Sequence, residues 1–124
     1  MSTPIHTISQ RFFFDAAHTL QREIEAEGSR RIHGHTYWCE ISVSGTPDAT
    51  SGMVMDLGFL SERVVSLRDK LDHDHLNQVD GLGVPTIENL CSYIANQLSD
   101  LPVPLSRVVI WRDSIGDRCE LVLR

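Results

Sequence analysis

Residues 33–45 read HGHTYWCEISVSG, and the alternation within this stretch decides the predicted fold. Apolar residues alternate with more polar ones, the period of two that is typical of a half-buried β-strand; they are Tyr37, Cys39, Ile41 and Val43. The turn sequence at residues 45–48 ends the strand. Before it, residues 6–15 (HTISQRFFFD) form a second strand candidate with three consecutive aromatic residues. Residues 20–31 are polar and charged and are predicted to be a loop, or a short helix within a loop.

The second half of the chain is predicted to form two helices followed by two strands. Leucine and valine recur at helical spacing from residue 60 to 71, with Asp56 as the cap. A second apolar stripe over residues 87–98 follows Thr86, another cap candidate. Residues 108–111 and 119–123 are strand candidates joined by a turn. The order ββααββ indicates an α+β fold in one domain, residues 1–124: a four-stranded antiparallel sheet with both helices on one face.

Composition excludes several classes of protein. The chain has 124 residues and a formal net charge of −6, which disfavours nucleic acid as a partner because that binding depends on basic patches. No apolar run is long enough to span a membrane, and the N-terminus does not have the pattern of a secretory signal. Three cysteines without a CxxC pair argue against a disulfide framework. A cytoplasmic protein is expected.

Three histidines form the first candidate site. His33 and His35 are two residues apart at the start of a strand, so their side chains project to the same face. His18, just past the first strand candidate, is placed to supply a third nitrogen across the hairpin. Three histidines with one open position are typical of catalytic zinc. The alternative is that the three histidines are unrelated.

Two further clusters are open to more than one interpretation. The stretch Asp72-His73-Asp74-His75 is either a proton relay, a set of metal ligands or a solvated loop. Arg30 and Arg31 precede the first histidine of the pair and are either a phosphate contact or exposed loop residues.

Several motifs occur together in one order along nearly the whole chain. They are Phe14-Asp-Ala-Ala-His18, His33-Gly-His35-Thr-Tyr37, Gly52-Met-Val-Met-Asp56, Leu71-Asp-His73 with Leu76-Asn77, Pro85-Thr-Ile-Glu-Asn89 and Val108-Val-Ile-Trp111. This combination resembles the 6-pyruvoyl tetrahydropterin synthase and 6-carboxytetrahydropterin synthase family. The resemblance implies the tunnelling fold (T-fold), in which the subunits join their sheets into a barrel, typically a homohexamer built as a dimer of trimers.

The same resemblance implies a zinc-dependent lyase that acts on 7,8-dihydroneopterin triphosphate or a related pterin. Its zinc ligands would be His18, His33 and His35. Asp72 and His73 match the family's proton relay. Glu88, with Thr86 beside it, matches the residue that anchors the pterin; a carboxylate suits this role because it accepts two parallel hydrogen bonds.

Two catalytic positions depart from the family pattern. Ser29 stands where the queuosine-pathway members have the catalytic cysteine, and Glu27 stands at the spacing of the animal-type cysteine. Arg112 occupies the position of the relay glutamate, unless the strand shifts by one residue and Asp113 substitutes. These departures leave open a zinc- and pterin-binding paralogue without the standard lyase activity, and a zinc hydrolase.

The predicted sheet also has consequences for assembly. A four-stranded open sheet has two edges with unpaired backbone groups, and such edges are commonly protected by lysine. Lys70, on a predicted helix, is the sole lysine of the sequence. A closed homo-oligomer is therefore expected.

Overall fold

Four antiparallel strands, in the order in which they occur along the chain, form the sheet. The computed structural model describes residues 4–124. The strands are β1 (His6–His18), β2 (His33–Gly45), β3 (Leu105–Arg112) and β4 (Asp117–Val122), with sheet order β1-β2-β3-β4. Strands β1 and β4 are therefore the edges.

Two long helices cover one face of this sheet. They are α2 (Leu57–Leu71), which packs on β1, and α3 (Ile87–Gln97), which packs on β3 and β4. Both predicted caps are present: the side chain of Asp56 accepts a hydrogen bond from the Gly58 N–H, and Thr86 accepts one from the Asn89 N–H. The order ββααββ and the α+β architecture are confirmed.

Two short helices lie in segments that the sequence predicted mainly as loops. Helix α1 (Ala26–Arg30) lies in the connection between β1 and β2, and a 3₁₀ helix (Leu76–Gln78) follows α2. The first agrees with the short helix that was one of the two alternatives for residues 20–31. Neither has the length or the apolar stripe that makes a helix recognisable from sequence.

The core lies between the helices and the covered face of the sheet. Alternate residues of the strands point into it and are fully buried, as the period of two predicted for β2; examples are Phe14, Tyr37, Ile41 and Ile110. Leu60 and Leu90 contribute from the two helices. Burying this apolar face is the main stabilising contribution to the fold.

Strand β1 is longer than the sequence predicted. It continues past Asp15 to His18, because residues 15–18 pair with residues 33–36 of β2. The register places His18 opposite His33 and Ala16 opposite His35. This pairing brings the predicted ligands together at one end of the sheet.

The uncovered face of the sheet carries aromatic and charged side chains. Phe13, Trp38 and Trp111 lie in a row: the Phe13 ring is tilted against Trp38 with centroids 5.1 Å apart, and Trp38 stacks on Trp111 at 6.2 Å. Beside them Glu40 forms ion pairs with Arg11 and Arg107. No helix among residues 4–124 is long and apolar enough to cross a membrane.

Candidate metal centre and active site

Three histidine side chains converge where β1 ends and β2 begins. The ring centroid of His18 lies 4.5 Å from that of His33 and 4.9 Å from that of His35, and the last two are 5.0 Å apart. One nitrogen of each ring lies within 4.8 Å of the other two. The strand pairing positions His18, while the alternation of side chains along β2 positions the other two on one face.

The hydrogen bonds of two of the rings fix their orientation. His18 Nδ1 lies 3.0 Å from the carbonyl oxygen of Pro85, and His33 Nδ1 lies 2.8 Å from that of Arg31. A carbonyl oxygen only accepts hydrogen bonds, so each Nδ1 carries the proton and each neutral ring has a bare Nε2. These two Nε2 atoms are 2.9 Å apart. Facing lone pairs repel each other, and a cation bound by both removes the repulsion; the residues therefore fit a metal ion.

Two of the three histidines are also held in their neutral form. Burial lowers the pKa of His18 below its ordinary value. Burial, with a smaller contribution from the Arg112 guanidinium, lowers the pKa of His35 to about 4. Neutral imidazole is the form that binds metal, so these two ligands are available at neutral pH.

The histidines line a cavity of about 550 Å³, a size typical of small-molecule sites. We call it the histidine cavity. Its other walls come from the β1–β2 connection, the start of α3 and the β3–β4 hairpin; they include Glu25, Ser29, Thr86, Glu88, Arg112 and Asp117. Residues predicted to hold metal and residues predicted to bind a pterin therefore share one cavity.

Thr86 and Glu88 reach this cavity because α3 begins beside it. The Thr86 side chain caps the helix through the Asn89 N–H, at 3.1 Å. Glu88 lies in the first turn, where a carboxylate is favoured by the helix dipole. Its side chain has no hydrogen-bond or ion-pair partner within the part of the chain that the structure describes. It is therefore free to accept hydrogen bonds from a ligand.

Ser29 lines the cavity, but its hydroxyl group is already used by the protein. The Oγ atom donates to the carbonyl oxygen of Ala26 at 2.8 Å and accepts from the Arg22 N–H at 3.1 Å. The Ser29 N–H donates to the Glu25 carbonyl oxygen, and the Ser29 carbonyl oxygen accepts from the Leu20 N–H. The residue is buried and holds the β1–β2 connection in place.

Asp72 and His73 form the predicted pair, but they lie outside the histidine cavity. His73 Nδ1 is 2.9 Å from Asp72 Oδ2, and Asp72 Oδ1 accepts the Asp15 N–H at 2.9 Å. That backbone hydrogen bond is the main cause that lowers the pKa of Asp72. His73 is 79% exposed and faces an adjoining cavity of about 660 Å³. His35 lines both cavities and is the link between them.

Arg112 lies at the end of β3, beside the histidine cluster. It is the last residue of β3, lines the histidine cavity and forms an ion pair with Asp117 across the hairpin at 2.5 Å. Its guanidinium lies 5.9 Å from the ring centroid of Tyr37, whose hydroxyl oxygen is 3.2 Å from His18 Nδ1. Arg112 therefore connects to a histidine of the cluster through Tyr37.

Asp113 lies in the turn beyond β3 and does not line the histidine cavity. It borders a smaller hollow on the uncovered face of the sheet, together with Arg11 and Glu40. The register of β3 and β4 pairs Arg112 with Asp117 and leaves Asp113 outside the ladder. Within this chain, Asp113 is not positioned as a substitute for the relay carboxylate.

Sequence reasoning missed two residues of the site. Tyr37 was assigned to the core by its alternation, and it is indeed buried, yet its hydroxyl contacts His18. Glu25 lies in a segment without periodicity, and nothing in the sequence singles it out; among its acidic neighbours only Glu27 stands at a cysteine spacing. Its backbone lies in the left-handed region, with φ 55° and ψ 41°, and it lines the histidine cavity.

Comparison with known proteins gives one consistent family. The profile of the 6-pyruvoyl tetrahydropterin synthase family matches residues 7–121. A 6-carboxy-5,6,7,8-tetrahydropterin synthase of Synechocystis is 36% identical over 103 residues, which cover 78% of this chain and 78% of that protein. A dihydroneopterin monophosphate aldolase of Pyrococcus furiosus is also 36% identical, over 107 residues that cover 84% of this chain and 87% of that protein.

The fold agrees with a solved structure. The 6-pyruvoyl tetrahydropterin synthase of Caenorhabditis elegans superposes with a TM-score of 0.83 at 26% identity, covering 100% of this chain and 99% of that one.

Proposed function

Because the chain belongs to the 6-pyruvoyl tetrahydropterin synthase family, we propose that it is a zinc-dependent lyase that cleaves the side chain of a phosphorylated 7,8-dihydropterin. The substrate is 7,8-dihydroneopterin triphosphate or a related phosphate of the same pterin, and residues 1–124 act as one domain. One observation carries the proposal: the three-histidine cluster and the unpartnered carboxylate of Glu88 line the same cavity.

Glu88 and Thr86 bind the pterin ring in this proposal. The edge of a pterin presents an amino group and a ring N–H side by side, and a carboxylate accepts both hydrogen bonds. Glu88 lies in the first turn of α3, next to the start of the helix that borders the cavity. When the pterin ring binds at Glu88, the side chain of the pterin extends into the rest of the cavity, towards the histidines.

His18, His33 and His35 would hold the zinc ion. When bound, zinc supplies a Lewis acid that polarises an oxygen of the substrate. The chain's own contribution is orientation: the Pro85 and Arg31 carbonyl oxygens fix two of the rings with Nε2 towards the centre. Tyr37 links this wall of the cavity, because its hydroxyl group contacts His18 and the Arg112 guanidinium lies over its ring.

Among the reactions of such side chains, we favour carbon–carbon cleavage of the aldol type. Converting a hydroxylated side chain to a pyruvoyl or carboxyl product requires several proton transfers, which the family performs with a cysteine and a relay glutamate. No cysteine lines the histidine cavity among residues 4–124, and Arg112 replaces the glutamate. Aldol cleavage moves one proton from a hydroxyl group to a carbon atom. The relative named as an aldolase of dihydroneopterin monophosphate supports this choice.

The proposal includes assembly into a hexamer, which concerns the Asp72–His73 pair and the edges of the sheet. The pair faces an open cavity, and within the described chain each of the edge strands β1 and β4 has a neighbouring strand on one side only. Joining these edges to other copies, as a dimer of trimers, would satisfy their backbone groups and cover the aromatic row of the uncovered face.

A cytoplasmic location without a nucleic-acid partner completes the proposal, in keeping with the net charge of −6.

The test is a product analysis. Zinc-loaded protein is incubated separately with 7,8-dihydroneopterin monophosphate and triphosphate, and the products are identified by mass spectrometry. We expect a shortened dihydropterin and an aldehyde fragment that retains the phosphate. A carboxylated or pyruvoyl product would select the synthase reaction instead. Binding of both compounds without any product would favour the non-catalytic paralogue, which the comparisons do not support.

A further inference from the structure

Two arginine side chains line the histidine cavity among residues 4–124, and only one of them is neutralised by the protein. Arg112, at the end of β3, is paired with the Asp117 carboxylate across the hairpin at 2.5 Å. Arg22 lies on the connection between β1 and β2. Its guanidinium has no hydrogen-bond or ion-pair partner in the described part of the chain. Arg22 therefore carries a positive charge that is available to a ligand.

Arg30 and Arg31, the sequence-based candidates for a phosphate contact, do not line the histidine cavity. Arg30 is exposed at the end of α1. Arg31 is also exposed, and its carbonyl oxygen orients the His33 ring. Of the three arginines on the connection, Arg22 alone reaches the cavity wall.

Hydrogen bonds fix the chain at the point where it leaves the histidine cluster. Strand β1 ends at His18, and the next residue is Thr19. The Thr19 N–H donates to Asn77 Oδ1 at 2.9 Å, and Asn77 Nδ2 donates to the Thr19 carbonyl oxygen at 3.1 Å. Arg22 follows soon after this anchored residue, so the start of the connection holds it close to the histidines.

Ser29 fixes the other end of this short segment. The Leu20 N–H donates to the Ser29 carbonyl oxygen at 2.6 Å, and the Arg22 N–H donates to the buried Ser29 hydroxyl group at 3.1 Å. Neither bond belongs to helix α1, so both are contacts across the connection. A hydroxyl oxygen is a better acceptor than a thiol sulfur, and serine therefore suits this bond better than the cysteine it replaces.

A phosphate group is the part of the proposed substrate that fits this cation. The dihydropterin ring is uncharged and its side chain otherwise carries hydroxyl groups, so the phosphate is the anionic part. A guanidinium group binds a phosphate through two parallel, charge-assisted hydrogen bonds. Glu88 and Arg22 belong to different walls of the cavity, α3 and the connection. A substrate that contacts both residues spans the cavity that the histidines line.

We propose that Arg22 binds the phosphate group of the substrate and makes the protein prefer a phosphorylated to an unphosphorylated dihydropterin, an assignment that rests on the proposed function. Arg22 is the single arginine without a partner in the walls of the cavity, among residues 4–124, and one guanidinium holds one phosphate group. The additional phosphates of a triphosphate therefore gain no further partner there. The monophosphate is the substrate that this wall fits.

The first experiment measures binding and does not depend on turnover. Neopterin and neopterin monophosphate, the oxidised and fluorescent pterins, are titrated into the zinc-loaded wild type, Arg22→Gln and Arg30→Gln. Arg30 is the matched control, an exposed arginine of the same connection outside the cavity wall. A hydrogen-bonded ionic contact corresponds to about a tenfold to hundredfold difference in affinity. We expect this preference for the monophosphate in the wild type and the control, and its loss in Arg22→Gln with unchanged affinity for neopterin.

The second experiment measures turnover and salt dependence. With 7,8-dihydroneopterin monophosphate, Arg22→Gln should raise KM with little change in kcat, because the phosphate contact is equally strong in the ground state and the transition state. Arg22→Lys keeps the charge without the two parallel hydrogen bonds, so its KM should lie between the other two. Added salt should weaken binding of the monophosphate to the wild type much more than to Arg22→Gln. Zinc content and melting temperature should not change in either variant.

Three results would overturn the assignment of Arg22 while leaving the proposed function intact. They are an undiminished preference for the monophosphate in Arg22→Gln, an equal loss of preference in Arg30→Gln, and tighter binding of neopterin triphosphate than of the monophosphate. Lower melting temperatures in both Arg22 variants, with equal losses of affinity for neopterin and its monophosphate, would assign the residue a structural role only. A wild-type protein that neither binds neopterin nor cleaves a dihydroneopterin phosphate would instead overturn the proposed function.

Discussion

His18 Nε2 and His33 Nε2 face each other at 2.9 Å, while the Nδ1 atom of each ring is turned to a backbone carbonyl oxygen. Two rings with unprotonated Nε2 atoms in this arrangement repel each other, and a cation bound by both nitrogens would remove the repulsion. A ligand that binds the folded state alone stabilises it by about 2.7 kcal/mol at a hundred times its dissociation constant.

We therefore predict about one zinc ion per chain in the purified protein, and a fall in melting temperature when zinc is removed with a chelator. The double variant His33→Ala, His35→Ala should lose both the zinc and the response to chelator, whereas His6→Ala, at the far end of β1, should keep them. Elemental analysis and thermal denaturation provide the measurements. Full zinc occupancy in the double variant would contradict the assignment of the ligands.

Ser29→Ala should destabilise the protein, because it removes two hydrogen bonds of a buried hydroxyl group. The expected loss is about 1–2 kcal/mol in the free energy of unfolding. Ser66→Ala is the control, since this exposed serine lies within α2, where alanine is favoured. Urea denaturation distinguishes the two, and equal stability of both variants would show that the Ser29 bonds are not needed.

Arg112→Gln should lower stability more than Arg118→Gln. The Arg112 side chain is 12% exposed and combines a 2.5 Å ion pair with a position over the Tyr37 ring. Arg118 is 55% exposed and lies 3.5 Å from Glu120. We expect about 1–2 kcal/mol for the first change and less than about 0.5 kcal/mol for the second. Denaturant unfolding measures both, and a larger effect at Arg118 would contradict this ranking.

The native protein should react slowly with thiol reagents at pH 8. Burial raises the pKa of Cys39 well above its ordinary value, and burial with the neighbouring Cys119 raises the pKa of Cys91 to about 12. At a pH below a raised pKa the thiol stays protonated, and the thiolate is the reactive form. Ellman's reagent should therefore label at most one thiol, Cys119, in the native state and all three after unfolding. Rapid labelling of two or more thiols in native protein would be inconsistent with this core.

Assembly through the sheet edges predicts a hexamer in solution. Val122 is 66% exposed on the edge strand β4, and a lysine on an edge strand disfavours pairing with another chain. Val122→Lys should reduce the mass measured by light scattering. Val65→Lys, a similarly exposed position on α2, should not. A wild-type protein that is monomeric at micromolar concentration would rule out this mode of assembly.

Much of the fold follows from local patterns in the sequence. Alternation in residues 37–43 predicts β2 and its buried face, and helical spacing after Asp56 and Thr86 predicts α2 and α3 with their caps. His33 and His35 share a face because successive strand residues alternate. These features depend on the chain's own periodicity, so they can be read without knowing which segments contact each other.

The tertiary structure alone decided the rest of the candidate site. The register that carries β1 to His18, opposite His33, depends on pairing between distant segments. The same holds for the placement of His73 in the adjoining cavity and of Glu25 on a wall of the histidine cavity. The conformation of a segment without periodicity is set by hydrogen bonds to other parts of the folded chain. Those hydrogen bonds form only after the strands have paired.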